Sequence, residues 1–196
     1  YSYKQSIRDA ATNPVKFEPR LAELRVDRES IDAEFEKLAQ ENELTDDQKA
    51  QLSRRAGKLA LMLKAPKRMA RISEDIVEHF NAHVKPKKLK AMVVVYDRDA
   101  CVQMYYLLKE KLGKDSVEVI MNVDRAPIEV TDGDKQGKLN KDWRRWKEEL
   151  KLPVEKDDFE RWQKIDADSQ TQKDILEGYK DAENPLQIII VTAKLL

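Results

Sequence analysis

The residues best placed to do chemistry fall at two points where an apolar run gives way to polar side chains. After Ala91-Met92-Val93-Val94-Val95 comes Tyr96-Asp97-Arg98-Asp99, and after Leu186-Gln187-Ile188-Ile189-Ile190-Val191 comes Thr192-Ala193-Lys194. In open α/β sheets, ligands bind beyond the carboxyl ends of the strands. A guanidinium there holds a phosphate through two parallel N–H donors, and a threonine hydroxyl donates to one. Arg98, Thr192 and Lys194 are therefore the candidate phosphate-contacting residues. The plainer reading is that Asp97 and Asp99 cap the helix that follows while Arg98 is solvated, because acidic residues are common at helix starts.

Other constellations carry less. Gly133-Asp134-Lys135-Gln136-Gly137-Lys138-Leu139 has three residues between its glycines where a phosphate loop has four. Leu139 also stands where a Ser or Thr must meet magnesium, so a flexible polar loop is expected. His79 and His83 sit four apart with Asp75 one turn earlier, a spacing compatible with a metal but lacking a second ligand cluster. Two histidines and the single Cys101 leave little for nucleophilic triads or a cysteine zinc site. Lys85, Lys87, Lys88 and Lys90 could touch a phosphate backbone but read first as solvated decoration beside a strand. Trp143, Trp146 and Trp162 could stack on bases; their usual burial favours pinning a loosely packed stretch onto the body.

The elements that must position these residues are legible from periodicity. Residues 1–26, with Pro14 and Pro19, read as an irregular segment. Ile31, Phe35 and Leu38 share one helical face; Thr45 and Gln48 form a capping-box signature ahead of Leu52, Ala56, Leu59 and Leu63. Pro66 suits the first turn of a third helix carrying Met69, Ile72, Ile76 and Phe80. After Pro86, the run 91–95 reads as a strand buried on both faces. Val102, Tyr105, Leu108 and Leu112 then recur at helical spacing until Gly113, and Val117-Glu118-Val119-Ile120-Met121 follows as a second strand. Strand, helix, strand predicts a βαβ unit and a parallel sheet. Residues 122–184 are polar, with helical patches near 140–150 and 168–180, before the third strand at 186–191.

Composition bounds the rest. The 196 residues balance 37 basic against 37 acidic side chains, which excludes a broadly cationic nucleic-acid coat. No window nears the roughly 18 apolar residues of a bilayer span, and no secretory signal opens the chain. A reducing, cytoplasmic setting is expected from the lone cysteine, and no membrane partner from the lack of a long apolar window. The first residue is Tyr1 and the last four are Ala193-Lys194-Leu195-Leu196, so a piece of something longer is expected, with more strands than three.

Three stretches together resemble a known family. Ile76-Val77-Glu78-His79-Phe80, then Lys90 to Arg98 with Ala100, and finally Ile188 to Leu196 resemble the motor region of type I restriction enzyme R subunits. Their order matches "DIVEHF", "KAMVV…SR..A" and "ILIVTDKLLTGFDAP" of that family. Phe17-Glu18-Pro19-Arg20-Leu21-Ala22 and Ile31-Asp32-Ala33-Glu34-Phe35-Glu36 also resemble its stretch between motor lobes.

The resemblance implies an α/β fold, a partial RecA-like parallel sheet of a second helicase lobe. Residues 1–86 would be an irregular and helical segment between lobes, and 87–196 the lobe, with a polar insertion at 122–184. It implies a superfamily 2 motor that translocates double-stranded DNA with ATP and Mg2+ and cleaves unmodified DNA alongside methylation and specificity subunits. Arg98 would lie at the fourth motif's basic position and Thr192 at the start of the fifth. Asp97 departs from the family by replacing a serine. Nucleotide-binding residues would lie beyond Leu196 and in the other lobe, so no cofactor, ATP hydrolysis or DNA cleavage is expected of this stretch alone. Two other readings stand: the second lobe of another superfamily 2 helicase or remodeller, and a non-catalytic phosphate-binding module using Asp97 and Asp99.

Overall fold

The computed structural model describes residues 2–14, 16, 18, 19, 40, 45, 62–128 and 140–192. The two helices expected before Pro66, the glycine-flanked loop 133–139 and Lys194 lie outside the described residues. The opening segment holds one short helix, α1 (Tyr3–Arg8), where irregular chain was expected. Ser2 caps it through the Gln5 N–H while the Gln5 side chain returns to the Ser2 N–H, so two end donors are satisfied without any buried residue.

Helix α2 (Pro66–His79) starts on its proline, as its sequence predicts. Met69 and Phe80 are buried, and Ile72 and Ile76 pack against the same core. Strand β1 (Ala91–Val95) leads into α3 (Arg98–Leu112), which Gly113 ends at φ +93°, a conformation favouring glycine. Strand β2 (Val117–Ile120) follows. Helix α4 (Lys141–Arg144) runs into a π-turn at Arg145–Glu149; α5 (Lys156–Ala167) and α6 (Ser169–Lys180) precede β3 (Ile188–Thr192).

The sheet is fully parallel in the order β1-β3-β2. The last strand in sequence is thus the central one, with Val93 and Val119 flanking Ile190 in register. The chain steps from β1 past the place of β3 to β2, then back. Right-handed crossovers running in opposite directions lie on opposite faces of a sheet.

β3 alone is buried along its whole length, because it has a strand on each side and apolar cover on both faces. β1 departs from the two-sided burial expected of it. Among the described residues it pairs with β3 alone, and Met92 and Val94 remain 48% and 45% exposed on one face. The run of valines reported strand character, not burial.

Residues 140–165 contribute to the core, and Ile175 and Tyr179 of α6 pack against it. The sequence reading anticipated helices near 140–150 and 168–180 and missed α5, whose Phe159, Trp162 and Ile165 are all buried. The tryptophans pin this stretch inward: Trp146 and Trp162 meet each other and Phe159, Tyr105 and Tyr106 in edge-on contacts with ring centroids 5.2–6.3 Å apart. Beneath them Asp158 accepts from Tyr105 Oη (3.0 Å), Tyr106 Oη (2.9 Å) and Lys109 Nζ (2.8 Å), and pairs with Arg161 (2.8 Å).

Cys101 lies fully buried in α3, and burial pushes its thiol up to about 12. At pH 8 roughly one part in ten thousand would be thiolate. The native protein is therefore expected to resist alkylation until it unfolds; rapid modification under native conditions, followed by mass spectrometry, would contradict this burial.

Candidate nucleic-acid interface

The carboxyl ends of the three strands lie along one edge, because the strands are parallel and in register. Thr192, the last residue of β3, is level with Val95, the last of β1. Arg98 stands three residues further on, in the first turn of α3. The sheet thus gathers Arg98 and Thr192 at the edge where the sequence placed them. Thr192 is buried there, whereas the Arg98 side chain is 46% exposed.

Asp97 behaves as a helix cap, its Oδ1 accepting from the Ala100 N–H at 2.9 Å. Asp99 has a different task. It accepts Arg145 Nε (3.0 Å) and Nη2 (2.7 Å), the Trp146 indole N–H (3.0 Å) and Lys64 Nζ (2.9 Å). Lys64 also reaches Asp97 Oδ2 at 2.7 Å. This network ties the start of α3 to the chain before α2 and to the π-turn after α4. Burial alone would raise the Asp99 carboxyl; its bonds to Arg145, Lys64 and Trp146 outweigh that and hold it well below the usual carboxylate range.

Arg98 is not simply solvated. Its Nη1 donates to Asp142 Oδ2 at 2.6 Å and to the Asn122 carbonyl at 3.2 Å. Asp142 is buried in the first turn of α4, where Asn140 caps the helix, and it also accepts the Asp124 N–H at 2.7 Å. Arg98 and Lys141 contribute the cations to a cleft of about 420 Å³, which Val123, Asp124, Ala126 and Asp142 complete. A larger groove, about 700 Å³, lies between α2, α3 and residues 150–153, away from Arg98 and Thr192, with Lys109, Glu110 and Lys114 among its otherwise largely apolar walls.

The remaining candidates lie elsewhere. Lys88 pairs with Glu183, and Lys90 donates to the carbonyls of Asn184 and Leu186 at the opposite, amino end of the strands. His79 and His83 have ring centroids 5.0 Å apart. Among the described residues no group of three or more His, Cys, Asp or Glu side chains could hold a metal ion. None of their helices is long and apolar enough to cross a membrane. Asp142, Arg145 and Lys64 escaped the sequence reading. Asp142 carries a weak signal, an acid in a first helical turn, but that position speaks of the helix dipole and not of a distant arginine.

The described chain is a mixed α/β protein whose candidate anion-facing residues sit at the carboxyl edge of a small parallel sheet. Its sequence is similar to the "Putative type I restriction enzyme MjaIXP endonuclease subunit" of Methanocaldococcus jannaschii, 26% identical over 126 residues. That match takes in 64% of this chain and 12% of the relative, so the chain corresponds to a small part of that protein. The similarity supports a relationship to restriction-enzyme endonuclease subunits. No family model matches the chain, and no solved structure matches it significantly.

Proposed function

We propose that this chain is part of the DNA-translocating and DNA-cleaving R subunit of a type I restriction-modification system, around its second RecA-like lobe. The 126-residue similarity to a restriction endonuclease subunit carries the reading. The parallel sheet, with Thr192 ending β3 and Arg98 opening the helix that follows neighbouring β1, supports it, because phosphate groups are bound at that edge of such sheets. Residues 1–86 would link two motor lobes, and 87–196 would belong to the second, with 122–184 inserted.

The carboxylate of Asp99 is engaged by Lys64, Arg145 and Trp146, and that of Asp97 by Lys64 and the Ala100 N–H. Nucleotide chemistry would fall to other parts of the subunit. What this stretch contributes is a contact to the DNA backbone. Arg98 uses Nη1 within the protein, while its Nε and Nη2, without a partner among the described residues, would meet a phosphate oxygen pair.

In the full-length protein Arg98→Ala is expected to weaken duplex DNA binding about five- to tenfold and to flatten its salt dependence by roughly one phosphate contact. DNA-stimulated ATP hydrolysis and translocation should fall with it. Unchanged affinity and unchanged translocation would remove Arg98 from the interface. Cleavage of unmodified DNA that requires the methylation and specificity subunits is also expected. A protein that translocates without ever cleaving would belong with another superfamily 2 motor.

A further inference from the structure

We infer that Asp142 is a positioning residue for the proposed DNA contact, orienting the Arg98 guanidinium so that its unused edge faces the phosphate backbone. The inference rests on the functional reading above. A guanidinium carries five N–H donors in a fixed plane. Both bonds that Arg98 makes within the protein leave from one nitrogen, Nη1, to Asp142 Oδ2 (2.6 Å) and to the Asn122 carbonyl (3.2 Å). The three donors of Nε and Nη2 have no partner among the described residues, and the side chain is half exposed beside the cleft that Lys141 also lines. Asp142 itself is fixed. It is buried, it sits one residue into α4, and the same oxygen accepts the Asp124 N–H at 2.7 Å. A rigid carboxylate gripping one corner of a planar fork sets the direction of the opposite edge, which is how a flexible arginine becomes preorganised.

Charge alone predicts the opposite of positioning, and this makes the inference testable. Asp142 is a negative charge beside a DNA contact, so removing it should tighten binding if only its charge mattered. If it orients Arg98, Asp142→Ala should instead weaken binding of a short fluorescent duplex about three- to tenfold, measured at fixed salt on the full-length protein. Asp142→Asn keeps an acceptor oxygen and loses the charge, so binding at least as tight as that of the unaltered protein is expected.

Because Asp142→Ala also strips the Asp124 N–H of its partner, Arg98→Lys gives a second arm. A lysine offers one ammonium and cannot serve carboxylate and phosphate at once. Arg98→Lys should weaken binding about fivefold, and adding Asp142→Asn should recover most of that loss by releasing the lysine. Tighter or unchanged binding by Asp142→Ala, or no recovery in the lysine pair, overturns the positioning role. Unchanged binding by Arg98→Ala overturns instead the reading on which it rests.

Discussion

Asp99→Ala is expected to lower folding stability by about 3–5 kcal/mol, the range seen when one partner of a buried ion pair is removed. For a chain of this size that is on the order of 10 °C in melting temperature. The effect does not come from one contact. Asp99 is the shared acceptor of Arg145, Lys64 and the Trp146 indole, so it joins its own helix to the chain before α2 and to the π-turn after α4. Arg145 is 46% exposed and can turn to water, which softens its share. Trp146 is fully buried, so its N–H would be stranded without a partner.

The sign of the pH dependence follows from the same network. A depressed folded-state carboxyl contributes stability above its unfolded value, near 4, and loses it as pH falls toward the lower folded value. Asp158 is depressed too: burial would raise it, but Lys109, Tyr106 and Arg161 prevail. Urea titrations between about pH 6 and pH 2 should show stability falling from roughly pH 4 downward, with a shallower fall in Asp99→Asn. An Asp99→Ala protein that melts within a degree of the original would show that the network is not holding these stretches together.

Trp162→Ala should be comparably severe, about 3–5 kcal/mol, through the cavity it leaves. Trp162 packs edge-on against Tyr105 at 5.2 Å and Trp146 at 6.1 Å between ring centroids, so its loss would loosen α5 from α3 and from the π-turn. Trp162→Phe offers the informative contrast. The indole Nε1 is buried and finds no hydrogen-bond partner among the described residues, so phenylalanine removes an unsatisfied donor while keeping an aromatic face. We expect it to cost under about 2 kcal/mol. Denaturation with matched near-ultraviolet dichroism would check both, and an inexpensive Trp162→Ala would mean that α5 contributes little to the core.

How much of this was legible depended on the range of the interaction involved. The three strands announced themselves because β-branched runs of that length have few other uses. Helix α3 was equally plain, with Asp97 before it and Gly113 after it. Helix α5 was hidden because Lys156, Asp157, Asp158, Glu160 and Arg161 surround its apolar residues and make the stretch look solvated. The buried acids were harder still. Asp99, Asp142 and Asp158 stand early in helices, where acids are expected for the dipole, yet their partners lie dozens of residues away. Periodicity reports which face of an element is apolar and says nothing of which cation will meet a carboxylate across the fold. For the same reason Arg98 was found as a candidate while the group that holds it was not.

The strand order has a consequence for how the protein is made. Ala91 and Val117 have the same partner, Ile188, and do not pair with each other. On the ribosome, β1 and β2 therefore emerge as open ladders, and the strand that joins them follows on the order of ten seconds later at about 5–20 residues per second. Until then Met92, Val93, Val94, Val119 and Ile120 lack the one strand that β1 and β2 both pair with among the described residues. Such an interval invites chaperone capture or association between nascent chains, and slower elongation should raise the insoluble fraction.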